Sequence, residues 1–287
     1  MKKIIALILA FVIAAAFAGC ASKADTNKAD GTEGDTASTS ASADGGSTEY
    51  STQAAAYKSS GKSSGNSFET VLDTNEYAMY YNIFYNDQGA EYDGKPVFKK
   101  GTFATLYDEY SGITRYYVWG YNDQTKCCDW QWELKPDEIK DIPANGSLVE
   151  VTGTFKKCET KDRTSPEACA KAALDGYWII NPEIKVKSEY TPADVDIDMS
   201  TMSATLERVQ AFYIINKYET LEGKTVRMYA RVLSDTQVQH PYYNGTDFVV
   251  DVETDGKMPA IGMMVMIEGT VKDGKITNAK VEITEDY

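Results

Sequence analysis

An internal repeat constrains this chain more than any other feature. "YDGKPVFKKGTF" (92–103) lines up with "LEGKTVRMYARV" (221–232), and "IPANGSLVEVTGTF" (142–155) with "MPAIGMMVMIEGTV" (258–271). A third pair, "INPEIKV" (180–186) and "TNAKVEI" (277–283), matches more weakly. Three blocks recurring in one order identify a duplication, so both copies must share one fold.

Each copy opens on a helix. In "VLDTNEYAMYYNIFYN" Tyr77, Tyr80, Tyr81 and Phe84 fall on one helical face, and Asp73 and Glu76 are spaced as a capping box. In "MSATLERVQAFYIINKY" Met202, Leu206, Val209 and Tyr213 form the equivalent face behind Ser203 as a cap. Short alternating stretches follow, at 97–106, 115–121, 148–155 and 184–187 in the first copy and at 226–233, 247–252, 263–271 and 276–283 in the second. Gly-rich strands this short fit a small closed or partly open barrel better than a sandwich. The expected fold is mainly β (α+β): two tandem OB-like small β-barrels, each preceded by a helix, over 68–190 and 191–287. A cystatin-like or other α+β roll is the alternative. "YTPADVDIDMS", between the copies, reads as a short linker.

The amino terminus sets location. Lys2 and Lys3 precede an apolar run from Ile4 to Phe17, and small residues lead to Cys20. That is a signal peptide over 1–19, too short for an ordinary membrane span. "FAGC" resembles a bacterial lipobox, with Phe17 where Leu is usual, which implies lipidation of Cys20. Two acyl chains there give a stable anchor on the extracytoplasmic face of the bacterial cell membrane. Residues 20–67 are Ser, Thr, Ala, Gly and Asp with hardly a large apolar side chain, so they are expected to form a disordered tether. "GKSSG" inside it matches G-x-S-x-G, but without the strand and helix that the motif needs.

Four cysteines remain besides Cys20. Between the first two blocks copy one is longer than copy two by 13 residues, and between the last two by 19; Cys127 and Cys128 fall in the first of these stretches, Cys158 and Cys169 in the second. They therefore serve insertions rather than the shared fold. Outside the membrane, disulfides are the expected state. If Cys127 and Cys128 sit on a strand, their side chains point apart and a bond between them is poor. Bridges from the pair to Cys158 and Cys169 are thus expected, and a Cys158–Cys169 bridge with a vicinal Cys127–Cys128 bond is the alternative. A zinc site of the same four thiolates, with His240 as an outside candidate, is the metal alternative; against it stand the lack of a C-x-x-C pair and the awkward chelation by neighbours. "SPEACAKAALDG" predicts a short helix carrying Cys169, with Ser165 as cap, Pro166 first and Gly176 at the exit.

The order of helix, "GK-x-V", strand, Cys-Cys and "P-x-x-G-x-x-V-x-V-x-G-T-F" resembles OB-fold-like modules of largely uncharacterised Gram-positive bacterial lipoproteins. The resemblance covers both copies, though only the first has the Cys pair. It implies that "DWQWEL" (129–134) is the strand after that pair, without the glycine usual there. It implies a fold and supplies no catalytic residues.

The single histidine, the absence of a nucleophile elbow in structured context and the absence of metal-spaced clusters leave hydrolytic mechanisms without a base. No enzyme activity and no cofactor are expected. The formal charge of −14 disfavours nucleic acid, which needs a basic footprint. In "TRYYVWGY" Tyr117, Trp119 and Tyr121 share one side. If open, that side would stack on a glycan or peptide, as OB grooves do, with Trp130, Trp132, Tyr242 and Tyr243 adding to it. The function expected is a surface-anchored binding or adaptor module, and the alternative is a structural or envelope-assembly protein.

Overall fold

The computed structural model describes residues 55–57, 70–158, 164–241 and 248–284. The signal peptide, Cys20, most of the expected tether, Tyr242 and Tyr243 lie outside them. The elements, in order, are β1 (Ala55–Tyr57), β2 (Thr70–Leu72), α1 (Thr74–Tyr85), β3 (Pro96–Asp108), β4 (Ile113–Tyr121), β5 (Asp129–Leu134), β6 (Leu148–Lys157), α2 (Pro166–Ala170) and β7 (Tyr177–Ser188). They continue with β8 (Ile197–Asp198), α3 (Ala204–Ile215), β9 (Thr225–Ser234), β10 (Gln237–Gln239), β11 (Val250–Val252), β12 (Met264–Lys272) and β13 (Lys275–Ile283).

Caps start the helices where the sequence predicts. The Asp73 carboxylate accepts from the Asn75 and Glu76 amides at 2.9 and 3.0 Å. Glu76 does not complete a capping box: it is buried, and its Oε2 takes Lys99 Nζ at 2.8 Å and Trp132 Nε1 at 3.1 Å. The buried stripe of α1 runs through Glu76, Tyr80 and Ile83. Tyr81 lies one residue, about 100°, off that line, and against expectation it is exposed and stacks on Tyr85. Ser203 caps α3 by accepting from the Leu206 amide at 3.2 Å. Ser165 caps α2 in the same way, through Ala168.

In the second half β9 pairs antiparallel with β10 and β12, β10 with β11, and β12 with β13, while β11 runs parallel to β13. Five strands thus close a barrel. The first half repeats the cycle with β3, β4, β5, β7 and β6, and its parallel seam between β5 and β7 has a single register pair, Leu134 with Ile179. β2 continues outward from β4, and β1 from β2. Ala55–Tyr57 is therefore a strand inside the stretch expected to be tether; main-chain pairing to a sheet edge requires no large apolar residue.

The duplication is written in hydrogen bonds. Gly94 N donates to Phe155 O (2.8 Å) as Gly223 N does to Val271 O (2.9 Å), and Gly146 N donates to Phe103 O (2.9 Å) as Gly262 N does to Val232 O (2.8 Å). Gly153 and Gly269 occupy matching register shifts in β6 and β12. A Cβ on Gly153 would lie 2.5 Å from Ile179 Cγ2 and 2.8 Å from Ile180 O; on Gly269 it would lie 2.6 Å from Ile276 Cγ2 and 2.8 Å from Thr277 O. Backbone oxygen cannot yield as a side chain does. Gly153→Ala and Gly269→Ala should each destabilise the chain by about 1–3 kcal/mol in urea denaturation, and a loss near zero would show that these crossings are loose.

Two cores result. One fills the first barrel beneath α1, with Tyr80, Ile83, Phe103, Val118, Trp130, Trp132, Leu134, Val149, Phe155 and Ile179. The other joins the interior of the second barrel to α3 and, through it, to Ala104, Leu106, Tyr117, Trp119 and Tyr121 on the outside of the first.

Candidate functional site

Strand alternation divides β3, β4 and β5 into an inner and an outer face. Register places Tyr117 beside Ala104 and Glu133, Trp119 beside Thr102 and Gln131, and Tyr121 beside Asp129, all on the outside. This is the aromatic face the sequence offered for ligands. It is closed. Tyr117 and Trp119 are 1% exposed and Tyr121 is 5% exposed. Trp130 and Trp132 point the other way, into the barrel core, and are equally buried. The expectation of an open stacking groove is corrected here, because α3 and its approach lie over the face.

The seal is polar as well as apolar. Trp119 Nε1 donates to Thr201 O at 3.2 Å, and Ser203 Oγ donates to Gln131 Oε1 at 3.0 Å. Thr205 gives both its amide and its hydroxyl to Asp129, each at 2.9 Å, so the first copy caps a helix of the second. Burial raises the Asp129 carboxyl above its ordinary value, opposed by the Thr205 and Ser203 bonds. Asp129→Ala leaves the Thr205 donors without that acceptor and should cost about 1–2 kcal/mol, with faster amide exchange at Thr205; unchanged exchange would show that Ser203 alone holds the helix start.

Arg115 anchors the other end of the face. It is fully buried and bonds Asp108 at 2.8 Å and Glu133 at 2.7 Å, and it donates to the carbonyls of Ala172 and Cys169. Tyr213 of α3 donates its hydroxyl to Asp108 at 3.0 Å, while Glu133 also accepts from the Leu174 amide and from Trp178 Nε1. Burial alone would lower the guanidinium pKa, but Glu133, Tyr117 and Asp108 outweigh it and raise it. Burial would likewise raise Asp108, yet Arg115, Ser111 and Tyr213 hold it below the usual carboxylate range. The insertion and α3 thus meet on one ion-pair cluster. Sequence reasoning missed it because Arg115 and Glu133 look like the polar phase of exposed strands.

The cysteines separate into two pairs. The Cys128 carbonyl accepts from the Asn122 amide just beyond the end of β4, and the Cys169 carbonyl takes Arg115 near the start of β4. Arg115 and Asn122 are separated by about 23 Å of strand at ~3.3 Å per residue, so the two segments attach to opposite ends of β4. That attachment speaks against the expected bridges from Cys127 and Cys128 to Cys158 and Cys169, and among the described residues no group of three metal-ligating side chains supports the four-thiolate zinc alternative. Cys158 Sγ instead accepts from the Ala173 amide at 3.2 Å, in the turn that follows Cys169. Cys127 and Cys128 precede β5 rather than lying on it, and their sulfurs are 3.4 Å apart. The premise that they point apart fails because the chain bends there.

His240, the outside metal candidate, is buried in the second half with its Nε2 3.1 Å from Glu207 Oε2 of α3. Burial pushes the Glu207 carboxyl well above its ordinary value, with Asp198 adding to the rise, and lowers His240 to about 3. Burial thus acts on both partners toward their neutral forms. Among the described residues no three metal-ligating side chains converge. A crevice at the β5–β7 seam, lined by Phe84, Trp132, Phe155, Asp175 and Tyr177, leaves no room for a water molecule. Its rings lie against one another, Phe155 stacking on Tyr177 at 4.9 Å.

Among the described residues no helix is long and apolar enough to cross a membrane. No family model, curated protein or solved structure matches the chain.

Proposed function

We propose that this chain is a lipid-anchored, non-catalytic adaptor on the extracytoplasmic face of a bacterial membrane, built from two OB-like barrels. In both rings the first strand pairs with the second and fourth, and the third runs parallel to the fifth. That Greek-key ring supports the OB reading. The observation that carries the adaptor reading is the filled face. OB barrels take ligands on strands two and three, here β4 and β5, and those strands are covered by α3 and the α2 insertion. A glycan or peptide in that groove must first displace α3. The covered face favours an adaptor over small-ligand capture, and the perturbed titratable groups support a non-catalytic role too, being spent in buried pairs rather than turned toward a cleft. The grouping of Cys158 with the turn after Cys169 supports a bridge there that fastens the insertion.

The test uses residues 21–287 on glycan and peptide arrays, beside metabolic labelling of the full chain with an alkyne fatty acid. The adaptor reading expects fatty-acid incorporation that Cys20→Ala abolishes, and no array signal that depends on Trp119. Binding weakened about tenfold or more by Trp119→Ala would restore the groove reading, and a chain that takes up no lipid would end the anchor.

A further inference from the structure

The turn between β4 and β5 holds two adjacent sulfurs in contact. Lys126 adopts a left-handed φ of 51°, its amide donates to the Asp123 carbonyl at 3.1 Å, and the Thr125 amide donates to Asp123 Oδ1 at 2.8 Å. The Thr125 hydroxyl donates to Asp123 Oδ1 at 2.6 Å and lies 3.3 Å from Cys127 Sγ, which fixes the direction of that sulfur. Asn122 N pins the Cys128 carbonyl at 2.9 Å. The result is a sulfur–sulfur distance of 3.4 Å with Cys127 exposed and Cys128 buried. Only a local shift separates this arrangement from a bond. A bond between neighbours spans Cα atoms about 3.8 Å apart, closer than the usual disulfide range, and such strained bridges are the readily reduced ones.

We propose that Cys127 and Cys128 are a vicinal dithiol that exchanges with external low-molecular-weight disulfides. The exposed Cys127 Sγ, losing its proton, attacks one sulfur of R–S–S–R; a Cys127–S–S–R bond forms, the R–S–S–R bond breaks, and the departing thiolate takes up the proton. Cys128 Sγ then loses its proton and attacks Cys127 Sγ, closing an eight-membered ring. The second RS⁻ leaves and is protonated in turn. Two hydrogens and two electrons pass from the protein to two molecules of RSH, and the reverse sequence oxidises an external thiol pair. Exposure assigns Cys127 as the sulfur that meets the partner and Cys128 as the one that resolves it. The site is independent of the adaptor reading, since it lies at the chain's surface whatever the filled face does.

The test equilibrates the mature full-length protein in graded mixtures of glutathione and glutathione disulfide, followed by acid quenching, alkylation and peptide mapping. The peptide carrying both residues should take two alkyl groups under reducing mixtures and none under oxidising ones, its unalkylated mass then about 2 Da below that of the dithiol. In Cys128→Ser a glutathione adduct on Cys127 should accumulate at least about tenfold over wild type, because nothing resolves it. As a check that needs no variant, the reduced protein should bind phenylarsine oxide at Cys127 and Cys128 together. Two alkylated thiols across the whole range, or Cys127 bridged to Cys158 or Cys169, would overturn the proposal.

Discussion

Replacing Arg115 with Ala should cost the chain about 3–5 kcal/mol, the largest single-site loss expected anywhere in it. The side chain is fully buried and touches two carboxylates and two carbonyls. Removing it leaves Asp108 and Glu133 as buried anions facing each other across the vacated space. Desolvation that was offset by the guanidinium then stands uncompensated. Arg115→Lys should recover only part of the loss, because one ammonium cannot reproduce the fork that reaches Asp108, Glu133 and the insertion at once. Urea denaturation at pH 7 gives the comparison. The effect should also propagate: amide exchange should rise in α3 through Tyr213 and at Leu174 through Glu133. A loss below about 1 kcal/mol, the value of an exposed ion pair, would mean that water enters the cluster.

The second large effect is on pH dependence. A histidine held neutral by burial, with its pKa lowered from 6.5 to about 3, binds fewer protons folded than unfolded in that window. Its contribution is therefore complete above 6.5 and is lost as pH falls toward 3. Glu207 has the opposite sign. Raised well above 4.5, it keeps in the folded state a proton that the unfolded chain releases, so its contribution is complete below 4.5 and is lost as pH rises through the folded value. The two slopes oppose each other between 4.5 and 6.5. The pair thus contributes a plateau there, with a limb on either side of up to about 1.4 kcal/mol per pH unit. Glu207→Gln should flatten the alkaline limb relative to wild type, and His240→Gln the acid one. Urea midpoints taken across pH 3–9 for the three proteins would decide it, and parallel curves would show that the pair titrates in the folded state as it does in the unfolded one.

What was legible in the sequence follows from what is local. Caps at Asp73, Ser165 and Ser203 are decided within a few residues, and the glycines at 94, 153, 223 and 269 mark turns and crossings that the backbone itself imposes. The repeat could be read because both copies place the same bonds on the same blocks. β5 could not be read from alternation, because both of its faces are buried and its polar residues, Asp129, Gln131 and Glu133, face protein rather than water. β10 is three residues long and carries no period. The role of the aromatic face depended on what lies over it, which is a helix more than 80 residues further along the chain. An aromatic row on a strand looks the same whether a ligand or another part of the chain covers it. The premise behind the cysteine pairing failed for a related reason, since one bend before β5 reverses the direction of a side chain.

The position of α3 bears on what this chain inherited from its duplication. One helix serves as the plug of its own barrel and as the cover of its neighbour. Two copies that began as equals have become unlike, the first supplying a wall and the second the piece that fits it. A cut at residue 190 would therefore not release two small proteins. It would yield one half with Tyr117, Trp119 and Tyr121 bared to water, and another whose helix has lost the aspartate that holds Thr205 in its first turn. Neither copy can be exchanged for a fresh version of the other without losing that fit.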